Sequence, residues 1–209
     1  MARRAYLFDS PDRFIAGTVG EPGSRTFFLQ AREGGRIASV ALEKIQVVAL
    51  AQRLGELLEE LRSRGIDVPS ELPVGSRDIG PLDEPLIEAF RVGTLTIGWD
   101  PQRGDVVLQA LAIVPGDGVE DEDEDEDEDG LDLDDDEDAE DDEDGELELA
   151  EDDPDGPDFV RVRLSPAATA TFVERAARVV AAGRPPCPVC GQPLDPQGHI
   201  CPRKNGYLN

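Results

Sequence analysis

The stretch Thr26-Phe27-Phe28-Leu29-Gln30-Ala31-Arg32-Glu33-Gly34-Gly35-Arg36-Ile37-Ala38-Ser39-Val40-Ala41-Leu42 decides the fold class. Two apolar runs flank Glu33-Gly34-Gly35, a glycine-rich turn of hairpin length, so Thr26–Arg32 and Arg36–Leu42 read as paired antiparallel strands. Directly after them Val47, Leu50, Leu54, Leu57 and Leu61 recur at spacings of three and four, widened by Ala51 and Leu58. That spacing predicts an amphipathic helix from about Glu43 to Arg64, stopped by Gly65. Its outer face carries Arg53, Glu56, Glu60 and Arg64, the last two a favourable i,i+4 pair. Such a helix must bury its apolar stripe against the sheet.

Upstream of this unit, Phe14–Val19 is a short apolar run ended by Gly20 and Pro22. Downstream, Pro69–Pro85 reads as a loop followed by a helical turn around Leu86–Phe90. Leu95, Ile97 and Trp99 alternate with Thr94, Thr96 and Gly98, a half-buried strand, and Pro101-Gln102-Arg103-Gly104 turns the chain into another over Val106–Val114. Val160, Val162 and Leu164 alternate with Arg161 and Arg163. Ser165-Pro166 then opens a helix to about Ala182, on Phe172, Val173, Ala176, Val179 and Val180, with Gly183 as its end. Hairpins outnumber crossovers in this order. The expected class is α+β, a largely antiparallel sheet packed by two main helices, over residues 1–184. No internal repeat stands out.

Charge is concentrated in one place. The 209 residues hold 47 acidic and 20 basic side chains, a net of −27; Gly116–Asp158 alone carries −29, which leaves +2 for the remainder. Residues 116–158 bridge two strand-like segments, so they form an acidic insertion in a hairpin. Their composition predicts disorder, since they cannot bury enough apolar surface to offset ordering entropy. Asp125, Asp127, Asp129 and Gly130 begin a calcium-loop pattern, but position 12 is Asp136 and no helices flank the run. The bland reading is a solubilising loop. The functional readings are a nucleic-acid mimic on a basic surface, a segment that binds a basic partner, and a gatherer of divalent cations. Separately, Phe159–Asn209 carries a net of +5, which makes Arg161, Arg163, Arg175 and Arg178 candidates for a transient contact within the chain.

The most specific signal lies in the last residues. Cys187-Pro188-Val189-Cys190-Gly191 and Gly198-His199-Ile200-Cys201-Pro202 give C-x2-C-x8-H-x-C, and all three cysteines and the one histidine of the chain fall within it. A Cys-Pro-x-Cys-Gly turn aims two thiolates at one point, and His199 and Cys201, two apart, face the same side of an extended segment. Cys187, Cys190, His199 and Cys201 therefore make a closed, structural Zn2+ set in a small zinc-knuckle lobe over residues 185–209. The alternatives are a redox C-x-x-C, which should open a helix after a strand and here follows Pro185-Pro186, and free thiols without metal. The H-x-C half departs from the commoner C-x-x-C or H-x3-5-H. Arg203, Lys204 and Tyr207 beside the lobe are too few to point to nucleic acid.

Other chemistry is sparse. With His199 assigned to metal, no histidine remains for acid–base work, and there is neither a Walker loop nor a G-x-G-x-x-G after a strand. Asp9, Asp12 and Arg13, with Tyr6, are polar groups among apolar ones that would line a cleft, although Asp9-Ser10-Pro11-Asp12 reads better as a turn. No apolar run reaches the roughly 20 residues that span a bilayer, and the N-terminus is not a signal peptide. Cysteines confined to one cluster argue against a disulfide scaffold and for a cytoplasmic chain.

The strings Tyr6-Leu7-Phe8-Asp9-Ser10-Pro11-Asp12-Arg13-Phe14, Gly17-Thr18-Val19-Gly20, Thr26–Gly34, Val40-Ala41-Leu42-Glu43-Lys44 and the C-terminal Cys/His motif with Arg203, Asn205 and Gly206 are similar to an actinobacterial family of conserved hypothetical proteins, domain-of-unknown-function family 3090. The resemblance implies a cytoplasmic actinobacterial origin, in line with 18 Arg against 2 Lys, and no established activity. The expectation is a binding or scaffolding protein with a structural zinc site, not an enzyme, whose partner is an unspecified protein. The alternatives are an enzyme with its site on the sheet and a nucleic-acid-associated protein regulated by its acidic loop.

Overall fold

The structure is a computed structural model that describes residues 3–21, 23–69, 78–114, 156–182 and 189. Seven strands and two helices follow in the order β1 (Ala5–Phe8), β2 (Arg13–Val19), β3 (Thr26–Glu33), β4 (Arg36–Leu42), α1 (Lys44–Ser63), β5 (Glu88–Asp100), β6 (Asp105–Ala112), β7 (Phe159–Leu164) and α2 (Pro166–Ala181). The strands form one sheet, β1-β7-β6-β5-β4-β3-β2. Antiparallel pairs dominate, as expected, but β4–β5 and β1–β7 are parallel. Helix α1 is the crossover between β4 and β5, as a parallel neighbour requires.

The hairpin that decides the class is in place: Glu33 pairs with Arg36, and Gly34 takes the left-handed φ of 56° that the tight turn needs. Helix α1 buries Val47, Leu50, Ala51, Leu54, Leu58 and Leu61. Its first turn is tied down twice, since Glu43 N donates to Gln46 Oε1 and Gln46 Nε2 donates to the carbonyls of Val92 and Gly93 in β5. Ser165 Oγ accepts from Ala168 N at the start of α2, with Pro166 in the first helical position. Phe172 stacks on Phe14 of β2, ring centres 4.7 Å apart.

Two expectations are corrected. Leu86–Phe90 is not a helical turn; β5 begins at Glu88, where Ser39 pairs with it, and continues through Asp100. Ala5–Phe8, not read as a strand, is β1, paired to β7.

Both helices pack on one face of the sheet. Ala16, Leu29, Ala31, Ala38, Val40, Leu108 and Val162 point into that core, so by the period of two Arg13, Ile15, Gly17, Gln30, Arg32 and Ser39 point to the other face. The sheet is also strongly curled. β1 and β2 are its two edges, yet only Asp9–Asp12 join them. Five Cα steps reach about 19 Å, while six strand spacings in a flat sheet are about 29 Å. The connection is stitched to the β3–β4 turn by Ser10 N on Glu33 Oε1 and Gly34 N on Asp12 Oδ2, both 2.7 Å, and Arg36 lies over the Phe8 ring.

The acidic insertion joins β6 to β7, which are antiparallel neighbours, as a hairpin insertion should. Residues 115–155, on which the expectation of disorder rests, lie outside the described residues. Gly156–Asp158 belong to the folded part: the Asp158 carbonyl accepts from Ala112 N and its carboxylate from Arg4 N.

Candidate functional site

The face of β2–β4 that turns away from the helices is crossed by the chain from Asp78 to Ile87. Ion pairs and hydrogen bonds to the Gln30 amide hold this strap. Arg13 grips the Asp78 carboxylate with two bonds, Nε to Oδ2 at 2.5 Å and Nη2 to Oδ1 at 2.8 Å, and reaches Asp83 with Nη1 at 2.9 Å. Arg32 approaches the other Asp83 oxygen at 3.4 Å. Gln30, 1% exposed, bonds both ways with the Asp83 backbone: its Oε1 accepts from Asp83 N and its Nε2 donates to Asp83 O and to Ser39 Oγ.

Arg175 closes the arrangement from the helix layer. It projects from α2 around the free edge of β2 and is only 6% exposed. Its Nε donates to the Ala16 carbonyl, Nη1 to the Asp78 carbonyl and to Asp78 Oδ1, and Nη2 to the Gly80 carbonyl, each at 2.7 Å. A buried guanidinium needs this many acceptors to offset its lost hydration. Hydrogen bonds from Arg13 hold the Asp78 carboxyl below the usual carboxylate range, against the opposing effect of burial. The same bond raises Arg13, while burial lowers Arg175.

Next to this clasp a cleft of about 340 Å3 opens between β2, the strap and α2, lined by Gly17, Thr18, Val19, Pro81, Leu82, Glu84, Leu86, Arg175 and Val179. Its walls are polar and apolar in nearly equal measure. Leu82 lies over Gly17 so closely that a Cβ there would sit 2.6 Å from Leu82 Cγ, so only glycine admits the strap at this depth. The ionisable lining groups are Glu84 and Arg175, and most Arg175 donors are already engaged.

Tyr6, Asp9, Asp12 and Arg13, the alternative cleft residues, each have a separate partner, and Asp9–Asp12 forms the connection between β1 and β2. Asp9 faces Arg163 at 3.4 Å, Asp12 bonds Gly34 N, Arg13 serves the strap, and Tyr6 packs on the core beside Phe90. The arginines offered to the acidic loop are also engaged. Arg175 is buried in the clasp, Arg163 binds Asp100 at 2.7 Å, Arg178 pairs with Glu174, and Arg161 lies against Gln109 and the Phe159 ring. Cys187, Cys190, His199 and Cys201 lie outside the described residues, and only Val189 between the first two is described, 43% exposed. Among the described residues no group of three or more His, Cys, Asp or Glu is placed to hold a metal, and no helix is long and apolar enough to cross a membrane.

Nothing in the spacing of the sequence announced the clasp. Arg13, Asp78, Asp83 and Arg175 are scattered, and the only signal was a pair of carboxylates in a proline- and glycine-rich loop. No curated protein and no solved structure matches the chain. A family model described as protein of unknown function (DUF3090) matches residues 6–201, a span that takes in β1 from its second residue, the clasp, the cleft and the Cys/His segment. The chain therefore belongs to the DUF3090 family.

Proposed function

We propose that this is a cytoplasmic binding protein whose C-terminal segment folds around a structural zinc ion held by Cys187, Cys190, His199 and Cys201. The observation that carries the zinc reading is compositional: every cysteine and the one histidine of the chain fall within a single C-x2-C-x8-H-x-C run. Three thiolates and an imidazole fill a tetrahedral zinc shell and leave no position for substrate, so the metal would cross-link the lobe and take no part in a reaction. The family match extends through this segment to Cys201. The binding reading rests on the cleft, in which Pro81, Leu82 and Leu86 of the strap and Val179 of α2 stand beside the β2 edge.

Zinc content of untagged, full-length protein tests the first half. One zinc per chain more than in Cys187→Ser is the expected result, with the urea midpoint of the sheet domain unchanged. Equal metal in both, with three titratable thiols in the wild type, would remove the site.

A further inference from the structure

β2 is an edge of the sheet and pairs with β3 alone among the described strands. A bare edge is a template for another extended chain, and proteins blunt such edges with charge, proline or a covering element. Along β2 the covering by the described residues stops partway. The Ala16 carbonyl accepts from Arg175 Nε and so points away from β3, into the clasp. In-plane backbone groups alternate with a period of two, so the N–H and C=O of Thr18 point outward as well. At Thr18 the edge meets the cleft and not the clasp.

The cleft offers three things together. Its first wall is strand edge, Gly17–Val19, with Val19 48% exposed. Pro81, Leu82 and Leu86 from the strap and Val179 from α2 put apolar side chains beside that edge. Glu84 stands exposed at the rim, and its carboxylate pairs with no arginine or lysine among the described residues. A volume of 340 Å3 lies at the lower limit of small-ligand sites, about 300–1,000 Å3. A backbone wall and a slot for alternate side chains are the two elements of recognition by strand addition. The clasp holds the strap in advance, which lowers the ordering cost of binding.

We infer that the outer edge of β2 at Thr18 binds an extended segment of a partner protein as an added strand, with an apolar side chain in the cleft and a lysine or arginine beside Glu84. This names the partner class for the binding reading, rests on that reading, and is independent of the zinc site.

The test uses the full-length protein and a blocked, fluorescein-labelled heptapeptide of alternating valine and threonine with one central arginine, read by anisotropy. Two control peptides carry glutamate in place of the arginine, or N-methyl groups on alternate amides. Glu84 is exposed, so Glu84→Arg should fold normally. Expected are saturable binding of the arginine peptide, a loss of about tenfold or more in Glu84→Arg, a gain by the glutamate peptide in that variant, and loss of binding on N-methylation. Binding insensitive to Glu84→Arg would overturn the charge assignment. Equal binding of the N-methylated peptide would leave the cleft as a binding site but overturn strand addition. No binding of any peptide at millimolar concentration would overturn both.

Discussion

Arg175 is the residue on which the site turns, because its one guanidinium hydrogen-bonds the β2 edge and the strap from α2. Removing it leaves the Ala16, Asp78 and Gly80 carbonyls short of a donor in a place with little water. Arg175→Met is expected to cost about 3 kcal/mol, since hydrogen bonds to charged groups are worth about 1.5–3 kcal/mol and stranded partners add to the loss. Arg178→Met, whose partner Glu174 is one turn away on the helix surface, should cost under about 0.5 kcal/mol. Urea unfolding of the two variants compares them directly. The role of Arg175 was illegible in the sequence: one of two arginines on an amphipathic helix looks like a solvated charge, and Asp78, which meets it, is 97 residues away.

Asp78 supplies the second prediction at this scale. Its carboxyl is lowered in the folded state by Arg13, so it stabilises the fold above the unfolded value of about 3.9 and loses that contribution as pH falls through the lower folded value. Asp100, lowered by Arg163, acts in the same direction. Wild-type stability should therefore decline from about pH 5 downward, and Asp78→Asn should show a lower plateau with a shallower decline. A urea-midpoint series across that range checks it; parallel curves would mean that Asp78 does not contribute to the acid limb.

Elements whose partners are adjacent in sequence were legible, and those decided by distant partners were not. The β3–β4 hairpin, α1 and α2 follow from turn glycines, periodicity and caps within one window. β1 is four residues long and exists because β7 pairs with it in parallel. The start of β5 misled for the same reason: Leu86, Ile87, Ala89 and Phe90 have a helix-like spacing, but Ser39 and Ala41 of β4 pair with this stretch. The β6–β7 hairpin carries its own prediction. Read from its composition as an unpacked loop, the insertion imposes a closure entropy that rises by about 0.6 kcal/mol per doubling of length. Replacing residues 115–155 by a four-residue turn should stabilise the domain by about 2 kcal/mol. An unchanged urea midpoint would mean that the acidic segment packs against the domain.

At the scale of the whole molecule, composition separated an acidic insertion from a near-neutral domain, and the order of strands and helices gave the class. Curvature was beyond reach, because it depends on which strands become edges. The four-residue connection Asp9–Asp12 also fixes the order in which the chain can be completed. Ala5 sits beside Phe159, so one of the first strands to leave the ribosome waits for one of the last, across 154 residues and the whole acidic run. At about 5–20 residues per second that delay is roughly 8–30 s. Throughout it β2, β3, β4 and α1 are already available to pair, while the apolar run Tyr6-Leu7-Phe8 has no strand to receive it. Nascent chains of this protein should thus be chaperone clients until β7 emerges.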